Sequence, residues 1–131
     1  MRAYLDSSVV IDLLDKRSLR HGVALKALQI AEREWFGSDL LRMECLIRPL
    51  RTKDELSVQK VFSFFSRIEC LEIPSTVFDD AAAIRADLGL KTPDAIHLAV
   101  ALHYGCEEFW TNDVKLGKAD ANIVFRSYSL P

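Results

Sequence analysis

The chain has 131 residues with a formal net charge of −2, and 50% of its residues are hydrophobic while 27% are charged. This length and balance predict a single globular domain over residues 1–131 with a core of its own. The acidic total excludes a protein that binds nucleic acid through overall positive charge. Contact with a polyanion would therefore depend on a local basic patch or on metal ions.

Short strands and longer helices alternate along the chain. In chain order, the patterns predict a strand at 3–5, helices at 9–14 and 17–34, a strand at 35–37, a helix starting at 38, a helix at 54–67, a strand at 70–73, helices at 75–88 and 93–104, and strands at 107–110 and 122–125. The connections are long enough for crossovers, which parallel strands require. We therefore predict an α/β fold with a short, mostly parallel sheet.

Two helix starts carry recognisable signals in the first half of the chain. Asp6 ends the first strand, and a serine after it is placed to cap the next helix. Ser38-Asp39 has the same character and starts a later helix. The apolar face predicted for that later helix consists of Leu40, Met43, Ile47 and Leu50.

The helix after residue 91 has the strongest start signal and carries a carboxylate at its N-terminal end. Thr92 is placed to cap it, Pro93 suits the first helical position, and Asp94 lies in the first turn, where the helix dipole favours an anion. The residues behind them are apolar on every side, which predicts a buried helix. We expect His97, inside this helix, to be a packing residue.

Several carboxylates are predicted to meet at one edge of the sheet. Asp6 and Asp113 each follow a strand, Asp94 begins a buried helix, and Glu44 can reach inward on its long side chain. Ligands bind outside the carboxyl ends of parallel strands, so this edge is the expected site. Grouped carboxylates repel unless a hard cation joins them, and Mg²⁺ or Mn²⁺ prefers oxygen ligands. Such a site suits attack of water on a phosphodiester. Asp12, by contrast, fits an exposed helix face.

The cysteines and the N-terminal segment indicate the compartment. Cys45, Cys70 and Cys106 are odd in number and form no CxxC pair, which favours free thiols in a reducing compartment. The N-terminal residues lack the apolar core of a signal peptide, and no apolar run reaches membrane-spanning length. We expect a cytoplasmic protein without a membrane partner.

Four motifs in order resemble the PIN-domain ribonucleases, and most closely the toxin component of VapBC-type toxin–antitoxin systems. The motifs are Asp6-Ser7-Ser8-Val-Val-Ile-Asp12, Glu44 within a helix, Lys91-Thr-Pro-Asp94-Ala-Ile-His-Leu-Ala99 and Trp110-Thr-Asn-Asp113. The resemblance spans nearly the whole chain. It implies a three-layer α/β/α sandwich and an RNA-cleaving site that uses Mg²⁺ or Mn²⁺. It also implies a homodimer that a cognate antitoxin inhibits by covering the active-site groove.

The resemblance also assigns roles to individual residues. It implies that the catalytic and metal-binding carboxylates are Asp6, Glu44, Asp94 and Asp113. Ser8 would support the first Asp, and Thr111 and Asn112 would flank the fourth. RNA affinity would come from a basic patch, for which the candidates are Arg42, Arg48, Arg51 and Lys53, joined by Lys16, Arg17 and Arg20.

Two alternatives to a nuclease remain open on the residues alone. An aspartate-based phosphatase would use Asp6 as its nucleophile, but it would usually carry a second Asp two residues later, where this chain has Ser8. A PIN-like scaffold could bind RNA or protein without cleaving it. The complete acidic set favours the nuclease.

Overall fold

The computed structural model describes residues 1–113, 115–116 and 122–129. Along this part of the chain, strands and helices alternate much as predicted. The elements are β1 (Arg2–Leu5), α1 (Ser7–Leu14), α2 (His21–Ala31), β2 (Glu34–Ser38), α3 (Asp39–Arg51), α4 (Glu55–Phe65), β3 (Glu69–Leu71), α5 (Ser75–Leu88), α6 (Thr92–His103), β4 (Glu108–Trp110) and β5 (Val124–Arg126). None of these helices is long and apolar enough to cross a membrane.

The five strands form one sheet in the order β3-β2-β1-β4-β5. All four pairings are parallel, and Tyr4 in the central strand lies opposite Phe36 on one side and Phe109 on the other. The chain proceeds outward from β1 through β2 to β3, and then returns to the other side of β1 for β4. The change of direction places a crevice between the carboxyl ends of β1 and β4, where ligands bind in open α/β sheets.

Hydrophobic cores cover both faces of the sheet. Tyr4 and Phe109 point to one face and pack with buried residues of α5 and α6, such as Val77 and Leu98. Ala3 and Leu5, the neighbours of Tyr4 in β1, belong to a second core with residues of α1, α3 and α4. The predicted three-layer α/β/α sandwich with a parallel central sheet is confirmed.

Two predicted helix caps were wrong by one residue or more. Asp6 itself caps α1, because its extended backbone (φ −92°, ψ 172°) points its carboxylate at the amides of Ser8 and Val9. Helix α6 begins at Thr92 after Lys91, whose backbone is extended, and no side chain caps it. The first difference matters for function, because it makes a site carboxylate part of the helix start.

The apolar face predicted for α3 is not its buried face. Leu41 and Cys45 are the buried residues of this helix, whereas Met43, Ile47 and Leu50 are between 46% and 59% exposed. The reason is the close approach of α3 to β2: a Cβ added at Gly37 would lie 2.9 Å from the Leu41 side chain. Among the residues that the structure describes, an apolar face therefore remains exposed on the outside of α3.

Candidate active site

Asp6 lies at the end of β1, beside the crevice between β1 and β4. Its Oδ1 accepts hydrogen bonds from the Ser8 amide (3.0 Å), the Ser8 hydroxyl (2.6 Å) and the Val9 amide (3.4 Å). Its Oδ2 accepts a short hydrogen bond from the Thr111 hydroxyl. Burial raises the pKa of the Asp6 carboxyl, although these hydrogen bonds favour the charged form. The side chain is thus held in one orientation by two elements.

The loop after β4 is tied to the start of α1. The Asn112 amide donates to the Ser8 hydroxyl oxygen (3.1 Å), and the Asp113 amide donates to the Thr111 hydroxyl oxygen (3.0 Å). Thr111 is 3% exposed and in turn bonds to Asp6. Ser8, Thr111 and Asn112 thus link the segments that carry Asp6 and Asp113.

Asp94 lies in the electrostatic field of the other three carboxylates. Its pKa is raised first by burial, then by the negative charges of Asp113 and Asp6, with a smaller contribution from Glu44. The charges of Asp113, Asp6 and Glu44 therefore all act on Asp94.

Glu44 on α3 is joined to His97 on α6. His97 Nε2 makes a short hydrogen bond with Glu44 Oε1, and its Nδ1 lies 2.7 Å from the hydroxyl of Tyr4. The ring is 2% exposed, so the predicted burial of His97 is correct. Its role is more than packing, because both ring nitrogens have polar partners. Sequence spacing could not show this, since Glu44 lies 53 residues away.

Asp12 was wrongly expected on an exposed helix face. It is 8% exposed and accepts hydrogen bonds from the Ser18 hydroxyl (2.7 Å), the Asn112 side-chain amide (2.9 Å) and the Tyr128 hydroxyl (2.7 Å). Tyr128 was not singled out from the sequence, where no local signal marks it. The hydrogen bonds to Asp12 join α1 to the loop after β4 and to the C-terminal segment. They thereby hold together the two segments that carry Asp6 and Asp113.

The basic residues predicted for RNA contact differ in their surroundings. Arg48 lies with Glu44 in a groove of about 400 Å³ between α1, α3 and α4. Arg42 pairs instead with Asp39 at 3.3 Å, and Arg51 and Lys53 are exposed outside the lining of this groove. The groove also contains Lys16, Arg17 and Lys60, of which Lys60 was missed in the sequence.

Carboxylate oxygens are the ligands that a hard divalent cation prefers. The site carboxylates, however, are not close enough together in this structure to surround one. In residues 1–113, 115–116 and 122–129, no three His, Cys, Asp or Glu side chains converge closely enough to hold a metal ion. Both oxygens of Asp6 accept hydrogen bonds, and Glu44 is bonded to His97. Mg²⁺ retains several waters and needs only one or two direct carboxylates, so these residues could hold it partly through water.

Comparison with solved structures gives strong similarity in fold. VapBC2 from Rickettsia felis, bound to a DNA fragment from its promoter, has a TM-score of 0.79 at 16% identity, covering 98% of this chain and 100% of that one. A toxin–antitoxin complex from Klebsiella pneumoniae gives 0.77 at 25% identity, covering 93% and 95%. VapC20 from Mycobacterium tuberculosis, a Sarcin-Ricin loop cleaving toxin, gives 0.73 at 20% identity, covering 89% and 94%.

Comparison of the sequence identifies a family but no individual curated relative. A search of curated proteins found no match. A family model described as the PIN domain matches residues 3–122, a range that includes Asp6, Glu44, Asp94 and Asp113. This match extends over most of the chain and begins and ends close to the limits of the sheet. The chain belongs to the PIN domain family.

Proposed function

We propose that the protein is a Mg²⁺- or Mn²⁺-dependent endoribonuclease that acts in the cytoplasm, through a single domain over residues 1–131, as the toxin of a toxin–antitoxin pair. The observation that carries the proposal is the hydrogen bonding at the carboxyl edge of the sheet, where Ser8 and Thr111 hold the Asp6 carboxylate and His97 holds that of Glu44. Burial and the negative charges of Asp113, Asp6 and Glu44 raise the pKa of Asp94, which supports the same grouping. Four carboxylates at the ligand-binding edge of a parallel sheet are costly to keep together without a cation.

We assign metal binding to the carboxylates of the site and attraction of RNA to a nearby basic residue. Asp6, Asp94 and Glu44 would bind the principal metal ion, directly or through water, and Asp113 would bind a second ion or orient the attacking water. A bound divalent ion supplies an activated water and neutralises charge on the phosphodiester. Arg48, in the groove beside Glu44, is placed to attract an RNA phosphate.

The surroundings of Asp6 favour the nuclease over an aspartate-based phosphatase. Such a phosphatase usually carries an acid/base Asp two residues after its nucleophile, and here that residue is Ser8, whose hydroxyl donates to Asp6 Oδ1. Here Asp6 Oδ1 accepts three hydrogen bonds, and Oδ2 accepts one from Thr111. This fixed, well-bonded carboxylate suits a metal ligand, whose orientation must be set by its neighbours.

RNA cleavage by the purified protein tests the proposed activity. A structured RNA should be cut in the presence of Mg²⁺ or Mn²⁺, and the products should disappear when EDTA removes the ion. Ca²⁺ serves as a control, because it binds oxygen ligands with a looser geometry than Mg²⁺. Cleavage that continues in EDTA would contradict the proposal.

We also propose that a cognate antitoxin binds in the groove between α1, α3 and α4. Its lining combines apolar side chains of Ile11 and Leu14 with the basic side chains of Lys16, Arg48 and Lys60. Such a surface fits a peptide that presents both apolar and acidic side chains. Since Glu44 lines the same groove, an occupant would also block RNA from the site. Two of the similar structures described above are named as VapBC or toxin–antitoxin complexes.

The exposed face of α3 supports a homodimer. Met43, Ile47 and Leu50 lie at helical spacing and are each about half exposed. Contiguous apolar surface of this kind marks interaction sites on soluble proteins. A second copy of the chain is the occupant proposed, because a two-fold axis would pack this face against itself.

A single type of mass measurement separates these two assemblies. By analytical ultracentrifugation the wild-type protein should have about twice the chain mass of 14.8 kDa, and Met43→Glu should reduce it to one chain. Co-expression with the product of the adjacent reading frame should give a larger complex. Lys60→Glu should weaken that complex and leave the dimer intact. A monomeric wild type, or a complex insensitive to Lys60→Glu, would contradict the respective assembly.

A further inference from the structure

We propose that His97 is a positioning residue that sets the orientation of the Glu44 carboxylate at the active site, with Tyr4 and Ser38 fixing the imidazole from behind. The inference rests on the proposed metal-dependent nuclease function. It adds a buried hydrogen-bond network that runs from β2 through β1 and α6 to the site. The network consists of Ser38, Tyr4, His97 and Glu44.

One possible arrangement of protons gives every member of this hydrogen-bond network a partner. The Leu41 amide donates to the Ser38 hydroxyl oxygen (3.3 Å), so the Ser38 hydroxyl is available to donate to the Tyr4 oxygen (2.8 Å). The Tyr4 hydroxyl then donates to His97 Nδ1 (2.7 Å). With a proton on Nε2, the imidazole donates to Glu44 Oε1. In this arrangement Nδ1 accepts from Tyr4 and Nε2 holds Glu44.

Glu44 needs such a partner more than Asp6 does. Asp6 is held by four hydrogen bonds from α1 and the loop after β4, and its side chain is short. Glu44 projects from a helix on three rotatable bonds, and its side chain is 21% exposed. Repulsion from the other carboxylates would favour rotamers that turn towards solvent. The bond to His97 opposes this rotation.

The Tyr4–Ser38 end of this hydrogen-bond network is rigid, and so the network can hold Glu44 in place. Tyr4 and Ser38 are 0% exposed, and Tyr4 lies on the central strand with its ring stacked on Phe109 at 5.5 Å between centroids. Ser38 also caps α3, the helix that carries Glu44. The same hydrogen-bond network therefore anchors both the start of α3 and the Glu44 side chain that this helix carries.

The experiment measures Mn²⁺ affinity in the absence of RNA, by electron paramagnetic resonance of the free ion. His97→Leu removes the donor at similar volume and should weaken Mn²⁺ binding by about 10- to 100-fold, the usual cost of losing a group behind a metal ligand. His97→Gln places an amide donor near the position of Nε2 and should restore most of the affinity. Tyr4→Phe removes only the hydroxyl and should have a smaller effect in the same direction. His103→Leu, the same change at the end of α6, should leave the affinity unchanged.

A double-mutant cycle shows whether His97 acts through Glu44. In a Glu44→Gln background, His97→Leu should cause little further loss, because the carboxylate that it positions has gone. Circular dichroism confirms that each variant is folded. Affinity unchanged in His97→Leu, or a loss that persists in the Glu44→Gln background, would overturn the inference alone. Wild-type protein that binds no Mn²⁺ would overturn the proposed function as well.

Discussion

Asp94→Asn should abolish RNA cleavage and yet make the metal-free protein more stable. Cleavage should fall by more than about 100-fold, since even residues behind a metal ligand typically contribute that much. Stability should rise by about 0.5 kcal/mol after allowance for screening by solvent. The reason is that a neutral amide at position 94 removes repulsion from Asp113, Asp6 and Glu44. A change that weakens function while strengthening the fold is typical of active sites.

The sign of this stability change follows from proton linkage. Because the pKa of Asp94 is raised in the folded protein, the folded state binds more protons than the unfolded state. The wild type therefore loses stability as the pH rises from the ordinary Asp pKa of about 3.9 through the raised value. Asp94→Asn avoids this loss, so its advantage should be present at pH 7 and shrink as the pH falls towards 4.

Urea unfolding in EDTA and in Mn²⁺ measures both parts of the Asp94 prediction. In EDTA the Asp94→Asn variant should have the higher midpoint. Added Mn²⁺ should stabilise the wild type, because a ligand that binds only the folded state shifts the equilibrium towards it, and should reverse the order. A variant that is less stable than wild type in EDTA, or one that cleaves RNA at the normal rate, would contradict the account.

Glu108→Gln should destabilise the fold by about 2 kcal/mol, which is below the 3–5 typical of a fully buried charge pair. Glu108 is 1% exposed and accepts hydrogen bonds from Arg33 (2.8 Å), Arg126 (2.9 Å) and the Trp110 indole (3.1 Å). It thereby links β4 to β5 and to the segment that enters β2. The cost is reduced because Arg126 is half exposed and can return to water.

The Glu108 cluster should also give a distinct pH dependence. Burial alone would raise the pKa of Glu108, but its hydrogen bonds to Arg33, Trp110 and Arg126 together hold it below its usual value. Its contribution to stability is therefore complete above the unfolded Glu pKa of about 4.3 and is lost as the pH falls through the lower folded value.

Unfolding by urea between pH 3 and pH 7 measures the Glu108 effect. The difference between wild type and Glu108→Gln should be constant near neutrality and should close in acid. Glu107→Gln is the matched control, because Glu107 is the preceding residue but is exposed. Its effect should stay within about 0.5 kcal/mol. Equal effects at the two positions would show that the ion pairs contribute nothing specific.

The sheet and the positions of Asp6 and Asp94 could be predicted because their signals are local. Strand β1 ends with the apolar run, just before Asp6, and Asp94 follows Pro93 in the first turn of α6. The order of strands and helices then implies parallel pairing, and parallel pairing brings strand ends to one edge. These inferences need only neighbours in sequence and the topology of crossovers.

Other features depend on contacts between distant segments and leave no mark in the local pattern. The bond from His97 to Glu44 spans 53 residues, and the bond from Tyr128 to Asp12 spans 116. Asp12 was expected to be exposed because the partners that satisfy it come from other elements. Likewise, the buried face of α3 is set by the close approach at Gly37 and by the packing of Leu41, and hydrophobic spacing alone selected the wrong face.

The most direct test of the central claim is to locate Mn²⁺ by anomalous scattering in crystals of the protein. We expect a peak between Asp6, Glu44, Asp94 and Asp113, with carboxylate or water oxygens at about 2.1 Å from the ion. In Asp94→Asn crystals treated in the same way, the peak should be weaker or absent. Mn²⁺ bound elsewhere, with no peak among these carboxylates, would contradict the assignment of this edge as the catalytic metal site.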